Sequence, residues 1–179
     1  MRLLATEIEG LWQIVPTVHA DDRGLFARTY DEETFAKAGL NVVWPQSNTS
    51  FNNRRGTLRG MHYQLAHAPE PKLVRCTQGR IFDVAVDLRP SSPTFKRWFG
   101  VELAAEKRNA LCIPAGLAHG FLTLEDHSEV FYQMGANYVA DAASGVRWND
   151  PAFAIDWPFE PEAMAERDRH FPDFAASAP

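Results

Sequence analysis

From residue 42 onward the apolar positions recur with period two, in short runs separated by turn residues. The segment 81–88 alternates most regularly. Phe82, Val84, Val86 and Leu88 form one apolar face, while Asp83 and Asp87 share the other with Ile81 and Ala85. On such a face Asp83 is either solvated or lines a polar cavity inside a barrel. The pattern predicts strands over 42–50, 56–64, 72–77, 81–88, 98–103, 110–113, 120–124 and 130–134. Gln78-Gly79-Arg80 reads as a tight hairpin loop, and Arg89-Pro90-Ser91-Ser92-Pro93 as a longer one. Upstream, 11–18 is an apolar run with a proline and reads as an edge strand. Asp21-Asp22-Arg23-Gly24 is a turn, 25–30 resumes as a strand, and 31–38 is a short helix around Phe35. Helix signals nearly vanish thereafter, which favours a β-sandwich or barrel over a βαβ fold.

Composition narrows this only in places. A chain of 179 residues, 45% apolar, buries a substantial core as one domain, 1–179, without repeats or linkers. Its longest apolar runs are a few residues, so no transmembrane span is expected, and Glu7 interrupts the N-terminus too early for a signal peptide. A cytoplasmic protein is the expectation, with Cys76 and Cys112 as buried free thiols. The net charge of −5 argues against nucleic-acid or membrane-surface partners. An anionic ligand would need a local positive patch, and Arg54, Arg55 and Arg59 offer one.

Candidate chemistry concentrates in Thr57-Leu58-Arg59-Gly60-Met61-His62-Tyr63-Gln64. A strand that only fills a core does not carry Arg59, His62 and Gln64 together. Strict alternation puts Arg59 and His62 on opposite faces, but a bulge at Gly60 would let both point into one cavity. A second constellation, Pro114-x-Gly116-x-x-His119, resembles the second motif of cupins, which are small jelly-roll barrels. Gly60 to Gln64 then takes the place of the first motif, where metal-binding cupins carry His-x-His followed by Glu. Here the second His is Gln64, and Glu70 lies in a proline-flanked loop. A carboxamide is a poor substitute for imidazole as a ligand, so the expected barrel is metal-free and His62 is free to act as a base.

Taken together, the motifs resemble the dTDP-4-dehydrorhamnose 3,5-epimerase family. They are Asp22-Arg23-Gly24 with Phe26; Gln46-Ser47-Asn48 with Ser50; the His62 segment; Lys72-Leu73-Val74-Arg75; Asp83 to Arg89; Ile113 to Phe121; Tyr132; Trp148-Asn149-Asp150-Pro151; and Ile155-Asp156-Trp157-Pro158. They span most of the chain. The resemblance implies an all-β jelly-roll (cupin-type) barrel with short peripheral helices. It also implies a cofactor-free isomerase acting on a nucleotide-linked 4-keto-6-deoxy sugar, in a homodimer that pairs through its N-terminal strands.

Epimerisation beside a ketone needs a base of near-neutral pKa, a cation for the enolate and an acid on the opposite face. By resemblance these are His62, Lys72 and Tyr132. Asp168 is the candidate orienter of His62, with Asp83 in reserve, and Arg167 belongs to the same short motif. Arg23, Arg59 and His119 match ligand contacts, and Gln46, Ser47 and Asn48 match nucleotide contacts. Phe26 and Tyr138 offer flat faces for a base. Two positions depart from the family pattern: Arg28, and the Ala142-Ala143 stretch, both where a Glu is usual. The sugar chemistry is therefore better supported than the thymidine. The alternatives are an epimerase acting at one carbon only or on another nucleotide, and a non-catalytic carbohydrate-binding cupin. An intact base, cation and acid weigh against the latter.

Overall fold

A computed structural model describes residues 1–174. In chain order it contains β1 (Arg2–Ala5), β2 (Trp12–Val15), β3 (Val18–Asp21), β4 (Gly24–Ala27), helix α1 (Glu32–Lys37), β5 (Gln46–Asn52), β6 (Thr57–Gln64), β7 (Lys72–Gln78) and β8 (Arg80–Asp87). The second half adds β9 (Trp98–Ala104), β10 (Ala110–Ile113), β11 (Leu117–Thr123), β12 (Ser128–Met134), the short β13 (Ala143–Gly145) and β14 (Ala163–Met164), and a single helical turn, α2 (Glu166–Arg169). Two sheets result. One runs β1-β2-β10-β7-β12-β5; the other runs β13-β6-β11-β8-β9, with β14 joining β6 in parallel. The expected jelly-roll barrel is the space between them, filled by Val74, Cys76, Ile81, Ala85, Leu103, Leu111, Ile113, Leu117, Phe121 and Val130.

Each sheet also covers an outer cluster. Helix α1 lays Phe35 over Ile14, Leu73, Ala110 and Cys112. The chain enters it through Asp31, whose carboxylate accepts the Thr34 backbone N–H, and Glu32 and Glu33 stand in the first turn. On the other sheet Val84, Val86 and Met61 are covered by Val146, Phe153, Ile155 and Trp157. Cys76 and Cys112 are buried free thiols in different clusters, and burial pushes them up to about 11 and about 12. No helix of the described residues is long and apolar enough to cross a membrane.

The structure departs from the periodicity in several places: β4 ends at Ala27 rather than at residue 30, β11 begins at Leu117 rather than at 120, and the short β13, β14 and α2 carry no periodic signal. Segment 11–18 splits at Pro16, and β2 lies inside its sheet because Arg2–Ala5 pairs beyond it as the true edge. Gln78-Gly79-Arg80 is not a hairpin: β7 and β8 belong to different sheets, and the turn carries the chain across the barrel. Gly79, at φ +70, is needed there because a Cβ would sit 2.5 Å from Ser128 Oγ. Strand 42–50 begins only at Gln46, past Pro45, and runs on to Asn52.

The feature that shapes the site is a bulge in β6. His62 pairs with His119, but Arg59 pairs with Phe121, so three steps on β6 match two on β11. His119 and Phe121 lie on one face of β11, which brings Arg59 and His62 to one face of β6. The two backbones come close here. A Cβ on Gly60, at φ +142, would stand 2.5 Å from Gly120 Cα. Gly60→Ala should therefore destabilise the fold by about 3 kcal/mol. Urea unfolding followed by circular dichroism measures this, and a loss below about 1 kcal/mol would contradict the packing described.

Candidate active site

A cavity of about 860 Å³ opens between the sheets. Alternation decides what lines it. On β5, Gln46, Asn48 and Ser50 face inward; on β12, Tyr132 and Met134; on β7, Lys72 continues the row of core residues Val74 and Cys76. The opposing wall carries Arg59, His62 and Gln64 of β6 and His119 of β11. The C-terminal segment closes one side. There β14 pairs with β6, and α2 contributes Arg167 and Asp168.

His62 Nε2 lies 2.7 Å from Asp168 Oδ1. Asp168 is almost fully buried, and its Oδ2 accepts the Gly60 N–H at 3.1 Å, a donor the bulge has freed from the sheet ladder. Burial pushes the Asp168 carboxyl up, but His62, the Gly60 amide and Arg167 together hold it below its ordinary range. The carboxylate therefore takes the ring N–H at Nε2 and leaves the lone pair on Nδ1. Arg167 Nη2 is 3.2 Å from the same ring nitrogen, and Arg167 Nε is 3.5 Å from Asp168. Two donors cannot share a hydrogen, so the guanidinium is best read as a partner of the carboxylate.

The other wall holds a different charge pair. Lys72 and Glu70 are both buried, and the ammonium donates to Glu70 Oε1. Glu70 Oε2 accepts from Gln64 Nε2 at 2.9 Å, and Gln64 Oε1 accepts the Val139 N–H at 3.1 Å. Tyr132 stands on the same sheet. Burial, opposed by the Arg59 charge and aided by Glu70, raises its phenol above the ordinary range, so it keeps its proton. Arg59 is aimed by Asn52, which accepts its Nε–H at 2.8 Å and in turn donates to the Ser128 carbonyl at 3.0 Å. A second histidine–carboxylate pair joins His119 Nε2 to Asp83 Oδ1 at 2.8 Å. Complete burial raises the Asp83 carboxyl, against the pull of His119. Asp83 thus lines the barrel interior but partners His119, and the carboxylate on His62 is Asp168.

Of the residues expected at a site, the fold brings His62, Lys72, Tyr132, Asp168, Gln46, Asn48, Arg59, His119, Tyr138 and Arg167 to one cavity. Three lie elsewhere. Ser47 alternates to the outer face of β5. Arg23 and Phe26 sit on the β3–β4 hairpin, which pairs with no other strand among the described residues. Arg23 is exposed and bonded to Asp21, and Phe26 is 66% exposed. Of the two departing positions, Arg28 pairs with the helix cap Asp31, while Ala143 lines the cavity. Periodicity did not reveal Asn52, because the predicted strand stopped short of it. Nor did it reveal that Gln64 braces Glu70; only the pairing of distant strands brings these together. Among the described residues no group of three His, Cys, Asp or Glu side chains is placed to hold a metal ion.

Two sheets enclosing an acid–base cavity define a cupin-type barrel. Residues 5–176 match the family model described as dTDP-4-dehydrorhamnose 3,5-epimerase. The dTDP-4-dehydrorhamnose 3,5-epimerase of Methanothermobacter thermautotrophicus is 43% identical over 173 residues, 95% of this chain and 92% of that protein. Among solved structures, the Bacillus anthracis enzyme of the same name, with TDP and PPi bound, superposes with a TM-score of 0.93 at 38% identity, over 97% of this chain and 99% of that one. A 3'-monoepimerase from Streptomyces bikiniensis in complex with dTDP-quinovose gives 0.88 at 34% identity, over 95% and 86%. The chain belongs to the dTDP-4-dehydrorhamnose 3,5-epimerase family, which are isomerases.

The depressed Asp168 carboxyl carries a stability consequence of definite sign. Its pairing stabilises the folded chain fully above the ordinary aspartate value near 3.8 and is lost as pH falls below it. Asp168→Asn should cost about 2 kcal/mol at pH 7. The gap to wild type should close as unfolding is measured at successively lower pH through that range. A gap that does not depend on pH would show that the charge is not what stabilises.

Proposed function

We propose that the chain epimerises a nucleotide-linked 4-keto-6-deoxyhexose, of the dTDP-4-dehydro-6-deoxyglucose type, at C3, C5 or both, as a step of deoxysugar biosynthesis. The observation that carries this reading is the His62–Asp168 pair on one wall of the cavity and protonated Tyr132 on the other. His62 Nδ1 takes the proton α to the ketone. The electron pair moves onto the ketone oxygen, and the Lys72 ammonium stabilises the resulting enolate. Tyr132 returns a proton to the opposite face of the same carbon, which inverts it, and solvent restores both groups. Arg59, His119 and Arg167 supply positive charge and donors for the diphosphate, with Gln46, Asn48 and Tyr138 toward the nucleotide. The relatives' names, which include dTDP and TDP complexes and a 3'-monoepimerase, support the sugar nucleotide and leave one centre or two to be counted.

A homodimer completes this reading. The β3–β4 hairpin leaves the apolar side chains of Val18, Leu25 and Phe26 exposed among the described residues. Arg23 and Phe26 are ligand contacts by family resemblance, yet they lie outside their own chain's cavity. A second copy reconciles the two, with the hairpin reaching the partner's cavity. Light scattering at micromolar concentration should give twice the chain mass, and Arg23→Ala should raise KM with little change in kcat. A monomer that turns over substrate normally would overturn the arrangement.

The chemistry is tested in heavy water with the 4-keto-6-deoxy sugar nucleotide, read by NMR, which also counts the centres that exchange. His62→Ala should abolish exchange of the α-protons. Tyr132→Phe keeps the base, so deuterium should enter with retention while inversion becomes slow. Lys72→Ala should slow both on the order of 10²–10³-fold, because both paths share the enolate. Exchange at the wild-type rate in His62→Ala would place the base elsewhere.

A further inference from the structure

Glu70 has no part in the chemistry described so far, yet it is one of the few buried carboxylates that face the cavity. Its backbone is fixed from both sides. Pro69 and Pro71 flank it, and a residue before proline is confined to extended conformations. Its two oxygens divide between two donors: one accepts from Lys72, the other from Gln64 Nε2. Gln64 cannot turn around freely, because its own oxygen holds the Val139 N–H. A braced chain therefore runs from the backbone at Val139 through Gln64 and Glu70 to the ammonium of Lys72.

Lys72 needs that brace. A lysine carries its charge on a flexible four-carbon stem, so a fixed cation at the cavity wall does not follow from sequence position alone. Among the described residues Glu70 is the only hydrogen-bond partner of the Lys72 ammonium. An ammonium has three N–H donors, which leaves two for a ligand oxygen. Glu70 also contributes to keeping the Tyr132 phenol protonated.

We propose that Glu70 is a positioning residue for the epimerisation, holding the Lys72 ammonium where the enolate oxygen develops; this inference rests on the epimerase reading above. The side chain has to be a carboxylate. An amide at this position offers one acceptor oxygen for two donors, so its NH2 meets either the ammonium or the Gln64 NH2. One of the two bonds must then break, and the brace is lost.

The test compares wild type, Glu70→Gln, Glu70→Asp, Lys72→Ala and the double variant Glu70→Gln/Lys72→Ala. Each is assayed for α-proton exchange and inversion with dTDP-4-keto-6-deoxyglucose in heavy water. Wild type is the control on the parent reading: no exchange there refutes the epimerase assignment and leaves nothing for Glu70 to position. With wild type active, Glu70→Gln should lower kcat about 10–100-fold, while KM moves far less. Glu70→Asp, which keeps both acceptors on a shorter stem, should recover part of the loss. It also replaces Glu70→Gln as the test if the amide variant does not fold, and must then fall below wild type in kcat. In the Lys72→Ala background Glu70→Gln should change kcat by less than about twofold, because residues that act as one unit are not additive. Wild-type kcat in Glu70→Gln, or losses that multiply in the double variant, would overturn the proposal.

Discussion

The close approach of β6 and β11 at Gly60 and Gly120 is the constraint on which the rest of the site depends. Two strand backbones come together where neither residue has a side chain, and a Cβ on either glycine would overlap its neighbour. The extra residue this permits in β6 changes the phase of the strand. Arg59 and His62, three apart and so on opposite faces of a regular strand, end on the same wall. Met61 turns outward into the cluster beneath Val146 and Phe153. The bulge also frees the Gly60 N–H, and that donor goes to Asp168, the carboxylate that holds the His62 ring. One backbone irregularity thus sets both the direction of the His62 ring and the position of its carboxylate partner.

The cavity handles charge by pairing. Asp168 with His62 and Arg167, Asp83 with His119, and Glu70 with Lys72 each place a carboxylate behind a group that can face a ligand. Unpaired, any of these carboxylates would be costly to bury. Paired, each fixes the orientation of the side chain in front of it. An enzyme that must stabilise an enolate without its groups reorganising needs such preset dipoles and charges. Arg59 follows the same rule with a neutral partner, the buried Asn52 amide.

Much of the architecture was legible from alternation and turn residues. The six strands between 72 and 134, the helix around Phe35 and the long loop after residue 88 follow from local preferences, whereas the short β13 and β14 and the single turn α2 carry no such signal. Local preference cannot say which strand a turn leads to. Gly79 is a turn residue either way, and whether β8 folds back on β7 or crosses to the other sheet depends on where both bury their apolar faces. For the same reason β2 was misplaced at an edge: β1 is four residues long and carries little signal until it is paired.

What the sequence determined by itself was the kind of chemistry. An imidazole in a strand-forming segment, with glutamine where a metal-binding cupin has histidine, points to acid–base chemistry before any contact is known, and the family resemblance adds the ammonium, the phenol and the carboxylate. The tertiary structure decided the partnerships. Asp168 lies 106 positions from His62 and reaches it only because β14 docks beside β6 and starts α2 at the cavity. Asp83, the reserve candidate, is drawn instead to His119 on the neighbouring strand. The physical reason is range. Side-chain type and alternation act over a few residues, whereas an ion pair forms only between groups that the burial of distant apolar faces has already brought within 3 Å of one another.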